Sequence, residues 1–339
     1  MSAPTTANLR DFYAGKRILI TGGVGFIGSN LAIRLVALGA EVMVVDSMIP
    51  AYGANLANLE PVSDRIRVNF SDIRDQHTMS YLVRDQDVVF SLAGQLSHLD
   101  SMVDPATDLD INCRSQLSLL EKCRMGRPGV KIVFTSTRQL YGRPHYLPVD
   151  ENHPLHPIDI NGINNLAAER YYTLYHEVYG LRTVSLRLTN TYGPRMDLQS
   201  NSKGFLGIFV RKALLGEKIR IYGDGQQRRD FNHVDDVVDA LLLAGVSDDI
   251  NGKSFNLGYP RSYSLQELAE LLRSLACFEV ENIPFPPERK AIDIGDYYAD
   301  FSAYRNATGW TPQIDLPEGL AKTVEYFRQH WDKYLPAPA

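Results

Sequence analysis

Short apolar runs rich in β-branched residues alternate with longer stretches of helical period through the first half of the chain. Arg17-Ile18-Leu19-Ile20 reads as a strand, and after a glycine-rich turn residues 26–38 read as a helix stopped by Gly39. Further strands are predicted at residues 41–45, 65–70, 87–92, 130–134 and 183–188. Between the last two, Ile163, Leu166, Ala167, Leu174 and Val178 recur at helical spacing, and Gly180 ends that helix. Strands separated by helices of this length predict βαβ units on a parallel sheet, a doubly wound α/β fold. After about residue 189 the pattern loosens into loops, short strands such as 254–258, and capped helices. Ser264-Leu265-Gln266-Glu267 has the form of a capping box, and residues 317–327 make a last amphipathic helix. The second half therefore reads as a smaller α+β lobe, with the cleft between the lobes as the expected binding site.

Gly22-Gly23-Val24-Gly25-Phe26-Ile27-Gly28 follows the first strand and opens the first helix. In that setting Gly22 permits the tight turn, Gly25 lets a pyrophosphate approach the backbone, and Gly28 allows close packing of the helix. Phe26 and Ile27 lie at the helix N-terminus, where unpaired N–H groups and the dipole favour an anion. Asp46 ends the next strand 18 positions after Gly28, where a carboxylate accepts from both ribose hydroxyls. Ser47 and Met48 offer no cation for a 2′-phosphate, which favours NAD over NADP. Asp72, with Ile73 beside it, ends the third strand where an adenine contact would fall; a solvated strand-end carboxylate accounts for it equally well. Residues 10–188 with about 226–256 are expected to form the NAD-binding Rossmann domain, and residues 189–225 with 257–335 the substrate lobe.

With 339 residues, 44% of them hydrophobic, the chain can bury a sizeable core. A net charge of −5 argues against a nucleic-acid-binding surface, so an anionic substrate must be held by a few local cations. Cys113, Cys123 and Cys277 have neither metal-like spacing nor an even disulfide framework, and a reducing cytoplasmic compartment fits them. The first 17 residues lack the apolar run of a signal peptide, and no stretch has the length of a membrane span.

Several segments, in order, carry a resemblance to a known family. They are TGGVGFIGSNL from Thr21, SLAGQ from Ser91, DPATDLDIN ending at Asn112, and VFTSTRQLYG around Thr137. RLTNTYGPR around Asn190, YGDGQQRRDFNHVDD around Arg229 and TGWTP from Thr308 complete the set. Over residues 16–327 the chain resembles the extended short-chain dehydrogenase/reductases, in particular NAD-dependent epimerases and dehydratases of nucleotide sugars. The resemblance implies that Leu92 and Ala93 lie along the nicotinamide half of NAD and that Thr137 is the catalytic Ser/Thr. It also implies that Asn190 and Arg229 hold the diphosphate of a nucleotide sugar, with Lys218 and Tyr222 among the substrate-binding residues. An arginine fork suits two phosphates better than a lysine point charge. Without the resemblance, an ion pair with Asp230, Asp235 or Asp236 would explain Arg229, and a turn amide would explain Asn190. His233 reads as a packing or hydrogen-bonding residue. A homodimer, contacting through helices near Ile111 and Leu166, is the family expectation; no nucleic-acid or membrane partner is expected.

The proton-transfer pair of that family is a tyrosine followed four residues later by a lysine. Here Asn161 and Asn165 stand in those places. An amide does not titrate and cannot act as a general base, although it can hydrogen-bond a sugar hydroxyl or a ribose. The Asp-Glu of the dehydratases is replaced by Arg138-Gln139, and the glutamate of the decarboxylases by Gln139, which disfavours both chemistries. Candidates for a relocated base are His98 and Tyr141, the latter also part of a structural turn. Arg138 is a candidate for neutralising developing charge or phosphate. His145, His153 and His156, with Asp150 and Glu151, could form a divalent-metal site, though in no recognised metal spacing. The expected activity is isomerisation of a nucleotide-diphosphate sugar. One form is a non-redox rearrangement such as pyranose–furanose mutation, in which a metal could assist. Another is 4-epimerisation with a relocated base. A non-catalytic sensor of NAD or nucleotide sugar is the remaining expectation, against which Thr137, Asn190 and Arg229 weigh.

Overall fold

Seven parallel strands form the central sheet, in the order β11-β6-β5-β4-β1-β2-β3. They are β1 (Arg17–Thr21), β2 (Glu41–Asp46), β3 (Ile66–Phe70), β4 (Val88–Ser91), β5 (Lys131–Thr137), β6 (Arg182–Leu188) and β11 (Ser254–Asn256). Between β6 and β11 run four short strands: β7 (Asn190–Tyr192), β8 (Ile219–Tyr222), β9 (Arg228–Arg229) and β10 (Phe231–His233). The computed structural model describes residues 6–200 and 204–335. Because helices cover both faces of the sheet, β4 is buried along its whole length and β1 over four of its five residues, which is why they read as unbroken apolar runs. The strand order reverses beside β1, and the crevice outside the carboxyl ends of β1, β4 and β5 is the expected ligand site of such a sheet.

One face of the sheet is covered by α1 (Thr6–Tyr13), α2 (Phe26–Ala37) and α9 (Val234–Val246), which bury Leu31, Leu35, Val237 and Leu241 against Ile18, Val44 and Phe90. The other face receives α3 (Gln76–Leu82), α6 (Ser115–Gly126) and α7 (Ile160–Tyr179), with Met79, Leu119, Cys123 and Tyr172 against Leu19, Val89 and Ile132. Between α3 and α6 lie α4 (His98–Val103), α5 (Pro105–Leu109) and one π turn, Asp110–Arg114. A separate apolar cluster builds the smaller lobe from α8 (Phe205–Leu215), α10 (Leu265–Arg273) and α13 (Leu316–Gln329) around β8. The capping box forms as the sequence predicts, with Ser264 and Glu267 each satisfying the other's backbone N–H. The strand at Ser254–Asn256 pairs with β6 and extends the main sheet, since Phe255 and Leu257 are buried in that sheet's core.

Helix α7 forms where the apolar spacing predicts it, but Ile163, Leu174 and Val178 of that spacing are exposed. The side turned inward carries Asn161, Asn164, Asn165, Ala168, Glu169, Tyr172 and Tyr175. Ile111 is buried and Leu166 packs under Leu140 and Tyr141, so neither is a surface apolar residue. No helix among the described residues is long and apolar enough to cross a membrane.

Candidate active site

The glycine loop is packed so closely that Gly23 and Gly28 leave no room for a side chain. A Cβ on Gly28 would lie 2.3 Å from the Gly22 carbonyl oxygen and 2.7 Å from Gly23 Cα, and one on Gly23 would lie 2.4 Å from Val44 Cβ. Gly22 adopts φ +70°, open to glycine at no steric cost. Asp46 secures the loop: one carboxylate oxygen accepts from Val24 N (3.1 Å) and the other from Met48 N (3.0 Å). Burial raises the pKa of Asp46, and these two bonds oppose the shift. Thr21 Oγ1 accepts from Leu92 N and Ala93 N, both at 3.2 Å, pinning that segment against the loop. The N-terminus of α2 at Gly25 has no side-chain cap and no acidic residue in its first turn, while a Cβ on Gly25 would meet only the Gly22 oxygen at 3.3 Å. Uncapped donors under open space, with Asp46 one strand away, fit a dinucleotide. Phe26, Ile27 and Leu92 pack partly against the core, and the side chain of Ile73 is wholly within it, so Ile73 has only backbone atoms to offer a cofactor. Asp72 is engaged by Arg74 through two side-chain bonds of 2.9 and 2.7 Å, a partner the strand-end reading missed, and that pairing lowers its pKa.

At the opposite end of the crevice the two asparagines face inward. Asn161, 2% exposed, donates to Gln95 O (2.8 Å) and Asp108 Oδ2 (3.2 Å). Asn164 donates to Asp108 Oδ1 (2.7 Å) and Asn112, from the π turn, to Asp108 Oδ2 (3.1 Å). Asn165 donates to the Asn161 carbonyl at 2.9 Å. Three amides thus surround one fully buried carboxylate. The Asn161 amide thus supports Asp108 and the Gln95 segment, while that of Asn165 turns back onto Asn161 within α7. Tyr141 is removed as a candidate base. It is fully buried, donates to Asn256 Oδ1 (2.7 Å), accepts from Arg187, and burial pushes its pKa far above the ordinary phenol value. Arg187 in turn forms a buried fork with Glu169 on α7.

Beside Asp159, near the same end of the sheet, stands His98, the first residue of α4, with its side chain partly exposed. Its Nδ1 is buried 3.5 Å from Asp159 Oδ2, too long for a hydrogen bond, and its ring is 35% exposed on the open side. Although the ring is partly open, burial, and then the charge of Arg138, hold its pKa down to about 4. Asp159 caps α7, accepting from Gly162 N (2.6 Å) and from Gln139 Nε2 (3.0 Å), and burial raises its pKa. Asp159 escaped the search for chemistry, although an aspartate just before a periodic helix is a legible N-cap. Thr137 sits beside this group at the end of β5; its Oγ1 accepts from Gln139 N (3.2 Å), which leaves its hydroxyl proton for the cleft.

On the lobe side, Asn190 donates to Asp230 O (2.9 Å). Arg229 is 5% exposed, donates to Arg228 O (2.9 Å) and Gly295 O, and lies 3.7 Å from Asp293 rather than beside Asp230, Asp235 or Asp236. Burial, and then Arg138, lower its pKa to about 10. Tyr222 packs against Phe285 with the rings tilted by 32° and Arg289 over the Tyr222 ring, neither of which the sequence reading picked out. Lys218 does not join them: it is exposed and pairs with Glu279 at 3.2 Å. His233 caps α9. The histidine cluster makes no metal site: His153 accepts from His145 N through Nε2 and meets Pro154 O through Nδ1, while His156 is exposed. Asp150 accepts from Tyr146, and Glu151 from Asn256 N. No group of three or more His, Cys, Asp or Glu among the described residues is placed to hold a metal ion.

A doubly wound sheet with a dinucleotide loop at its carboxyl edge defines a Rossmann-type dinucleotide-binding protein. The chain belongs to the NAD dependent epimerase/dehydratase family, whose model matches residues 18–258. It is 35% identical over 318 residues to a UDP-glucose 4-epimerase of Mycolicibacterium smegmatis, covering 92% of this chain and 98% of that one. The crystal structure of a UDP-glucose 4-epimerase from Thermotoga maritima with UDP-glucose superposes with a TM-score of 0.85 at 34% identity, over 93% and 99% of the two chains. A UDP-glucuronic acid decarboxylase 1 of Xenopus tropicalis is 30% identical over 95% of this chain and 76% of its own. Kinship therefore reaches decarboxylases as well as epimerases.

Proposed function

We propose that this protein isomerises a uridine-diphosphate hexose at C4, with His98 and Asp159 moving the proton in place of a tyrosine and lysine. The observation that carries the reading is the partly exposed His98 beside Asp159, with Asn161 and Tyr141 both committed to internal bonds. NAD, held by the glycine loop and Asp46, supplies the acceptor and donor of hydride. Neutral His98 takes the proton of the sugar hydroxyl through Nε2. A shift of roughly half an ångström brings Nδ1 into hydrogen-bond range of Asp159, as is common when a substrate tightens an open site. Thr137 donates to the same sugar oxygen, and Asn190 with Arg229 holds the diphosphate. Residues 10–188 with about 226–256 make the cofactor domain, and residues 189–225 with 257–335 the sugar-nucleotide lobe. The exposed apolar stripe of Ile163, Leu174 and Val178 on α7 supports a homodimer built on that helix.

The test is turnover of UDP-glucose and UDP-galactose carrying deuterium at C4, followed by NMR of the product. The expected product is inverted at C4 and forms with a primary isotope effect. A furanose product overturns hydride chemistry and favours the non-redox isomerase, and inversion with loss of the C4 deuterium to solvent overturns hydride transfer as well. That second reading draws on the buried amides at Asn161 and Asn165, where no titratable pair remains.

A further inference from the structure

Asn58 joins three segments that lie far apart in the chain. It is buried in the short helical segment Leu56–Val62, which follows Asp46. Its Nδ2 donates to Val24 O in the glycine loop (2.9 Å), and its Oδ1 accepts from Tyr334 Oη (2.7 Å) in the C-terminal turn Trp331–Tyr334. Its own carbonyl accepts from Arg195 Nε (3.2 Å). Val24 is therefore held at both polar groups, its N–H by Asp46 Oδ2 (3.1 Å) and its C=O by Asn58. That carbonyl shares a planar peptide with Gly25, so fixing it fixes the entry to α2, where a pyrophosphate would meet the helix N-terminus. Tyr334 has one hydroxyl proton and gives it to Asn58, so Tyr326 Oη, 2.7 Å away, donates to Tyr334. The Tyr326 ring packs against the Arg195 guanidinium, 5.2 Å from the ring centroid, and Arg195 Nη1 donates to Asn30 Oδ1 on α2 (3.0 Å). Arg195 adopts φ +73°, a left-handed conformation that is costly for a residue with a Cβ. The turn is fastened to the segment after Asp46 a second time: Asn55 Nδ2 donates to Lys333 O (3.0 Å), and Lys333 pairs with Glu60.

We propose that Tyr334, acting through Asn58, is a positioning residue for the cofactor, and that the C-terminal turn sets how tightly NAD is held. The inference rests on NAD lying at the glycine loop. An amide presents a donor on one side and an acceptor on the other, and only the Tyr334 hydroxyl tells the two apart here. With Oδ1 anchored by that hydroxyl, Nδ2 is aimed at Val24 O. Without it, Oδ1 is a buried acceptor with no donor, and a flipped amide would set two oxygens against each other at Val24. The close contacts of Gly23 and Gly28 keep the shape of the loop, whereas this relay keeps the orientation of its last peptide before the helix. Tyr334 belongs to the apolar cluster of the smaller lobe, so that lobe and the cofactor loop are fastened together by its hydroxyl.

The experiment loads the full-length protein with NAD and follows its exchange for carbon-13-labelled NAD by mass spectrometry, beside amide hydrogen exchange and thermal unfolding. Tyr334→Phe, which keeps the ring and removes only the hydroxyl, should release NAD about 3- to 10-fold faster, the range of one hydrogen bond. Asn58→Ala should release it roughly 10- to 100-fold faster, since Val24 O is then left without its donor. The double variant should release NAD no faster than Asn58→Ala alone, because Tyr334 acts through Asn58. In Tyr334→Phe, amide exchange should quicken at residues 22–28 and stay unchanged along β5. Release from Tyr334→Phe at the wild-type rate overturns the proposal, as does a double variant in which the two effects multiply. Quicker amide exchange throughout the sheet, with a lowered melting temperature, assigns Tyr334 to general stability and overturns the positioning role. If Asn58→Ala does not fold, Tyr334→Phe decides the matter by NAD release and local exchange. Failure of the wild-type protein to hold NAD at all overturns the cofactor reading beneath the proposal, a result distinct from unchanged release.

Discussion

The two ends of this crevice are built on different principles. At the phosphate end, each requirement is met by the backbone: glycines where a Cβ would strike Gly22 or Val44, and a carboxylate that holds two loop N–H groups. At the reaction end, each requirement is met by side chains brought from distant segments, with Asp108 surrounded by Asn112, Asn161 and Asn164 and Asp159 shared by Gly162 and Gln139. The first end tolerates almost no substitution yet is simple to recognise. The second carries the amides of Asn161 and Asn165 on the inward face of α7, bonded to groups from other segments and to each other. The lesson is that cofactor binding and proton transfer, though served by one sheet edge, are set by independent residues.

The largest effect expected from testing that independence is at His98. His98→Asn should lower kcat by about 10²- to 10⁴-fold, the span of a general base, while NAD and UDP affinities stay unchanged. Unchanged turnover would remove His98 from the reaction. Its pH profile gives a sharper form of the test. The neutral imidazole is the working form, so activity is retained above its pKa and lost as the pH falls through about 4. In Arg138→Gln that acid limb should move upward, because the charge of Arg138 is one of the two causes that hold the value down.

Gly28→Ala should cost about 3 kcal/mol of stability and release NAD, since its Cβ would sit 2.3 Å from a backbone oxygen that cannot move alone. Thermal unfolding with and without added NAD checks both parts, and a variant that melts like wild type would show the loop to be more pliable than its contacts imply.

Restoring the family pair by Asn161→Tyr with Asn165→Lys should cost about 2–3 kcal/mol and yield no gain in turnover. Asn161 Nδ2 lies 2.8 Å from Gln95 O and 3.2 Å from Asp108, a space a phenol ring cannot share, and Asp108 would lose a donor. A rise in activity would mean that the two ends differ less than the structure indicates. The smallest effect is expected for Tyr141→Phe, about 1–2 kcal/mol of stability from the bonds to Asn256 and Arg187, with kcat per folded molecule unchanged.

How much of this was legible from residue order varies along the crevice. The glycine loop, Asp46 and the strand-by-strand alternation could be read because their causes are local: a turn, a helix start, a run buried on both faces. The caps at Ser264 and Gly180 belong to the same class. The inward face of α7 was not legible. The apolar positions that mark the helix, Ile163, Leu174 and Val178, lie on its exposed side, whereas the buried face holds Asn161, Asn164, Asn165 and Glu169. Those polar groups can be buried only because Gln95, Asp108 and Arg187 meet them, and each partner comes from another element of the fold. Lys218 was misplaced for a related reason, since a cation near a predicted lobe strand carries no sign of which side of that strand it occupies.

By itself, then, the order of residues determined the doubly wound sheet and the dinucleotide loop, because these depend on backbone sterics and on residues a few positions apart. Only the tertiary structure decided that Asn161 and Asn165 point inward, that Tyr141 is sealed off, and that His98 is left partly exposed beside Asp159. Whether a polar side chain is structural or available is settled by which hydrogen-bond partners reach it, and those partners are supplied by the fold.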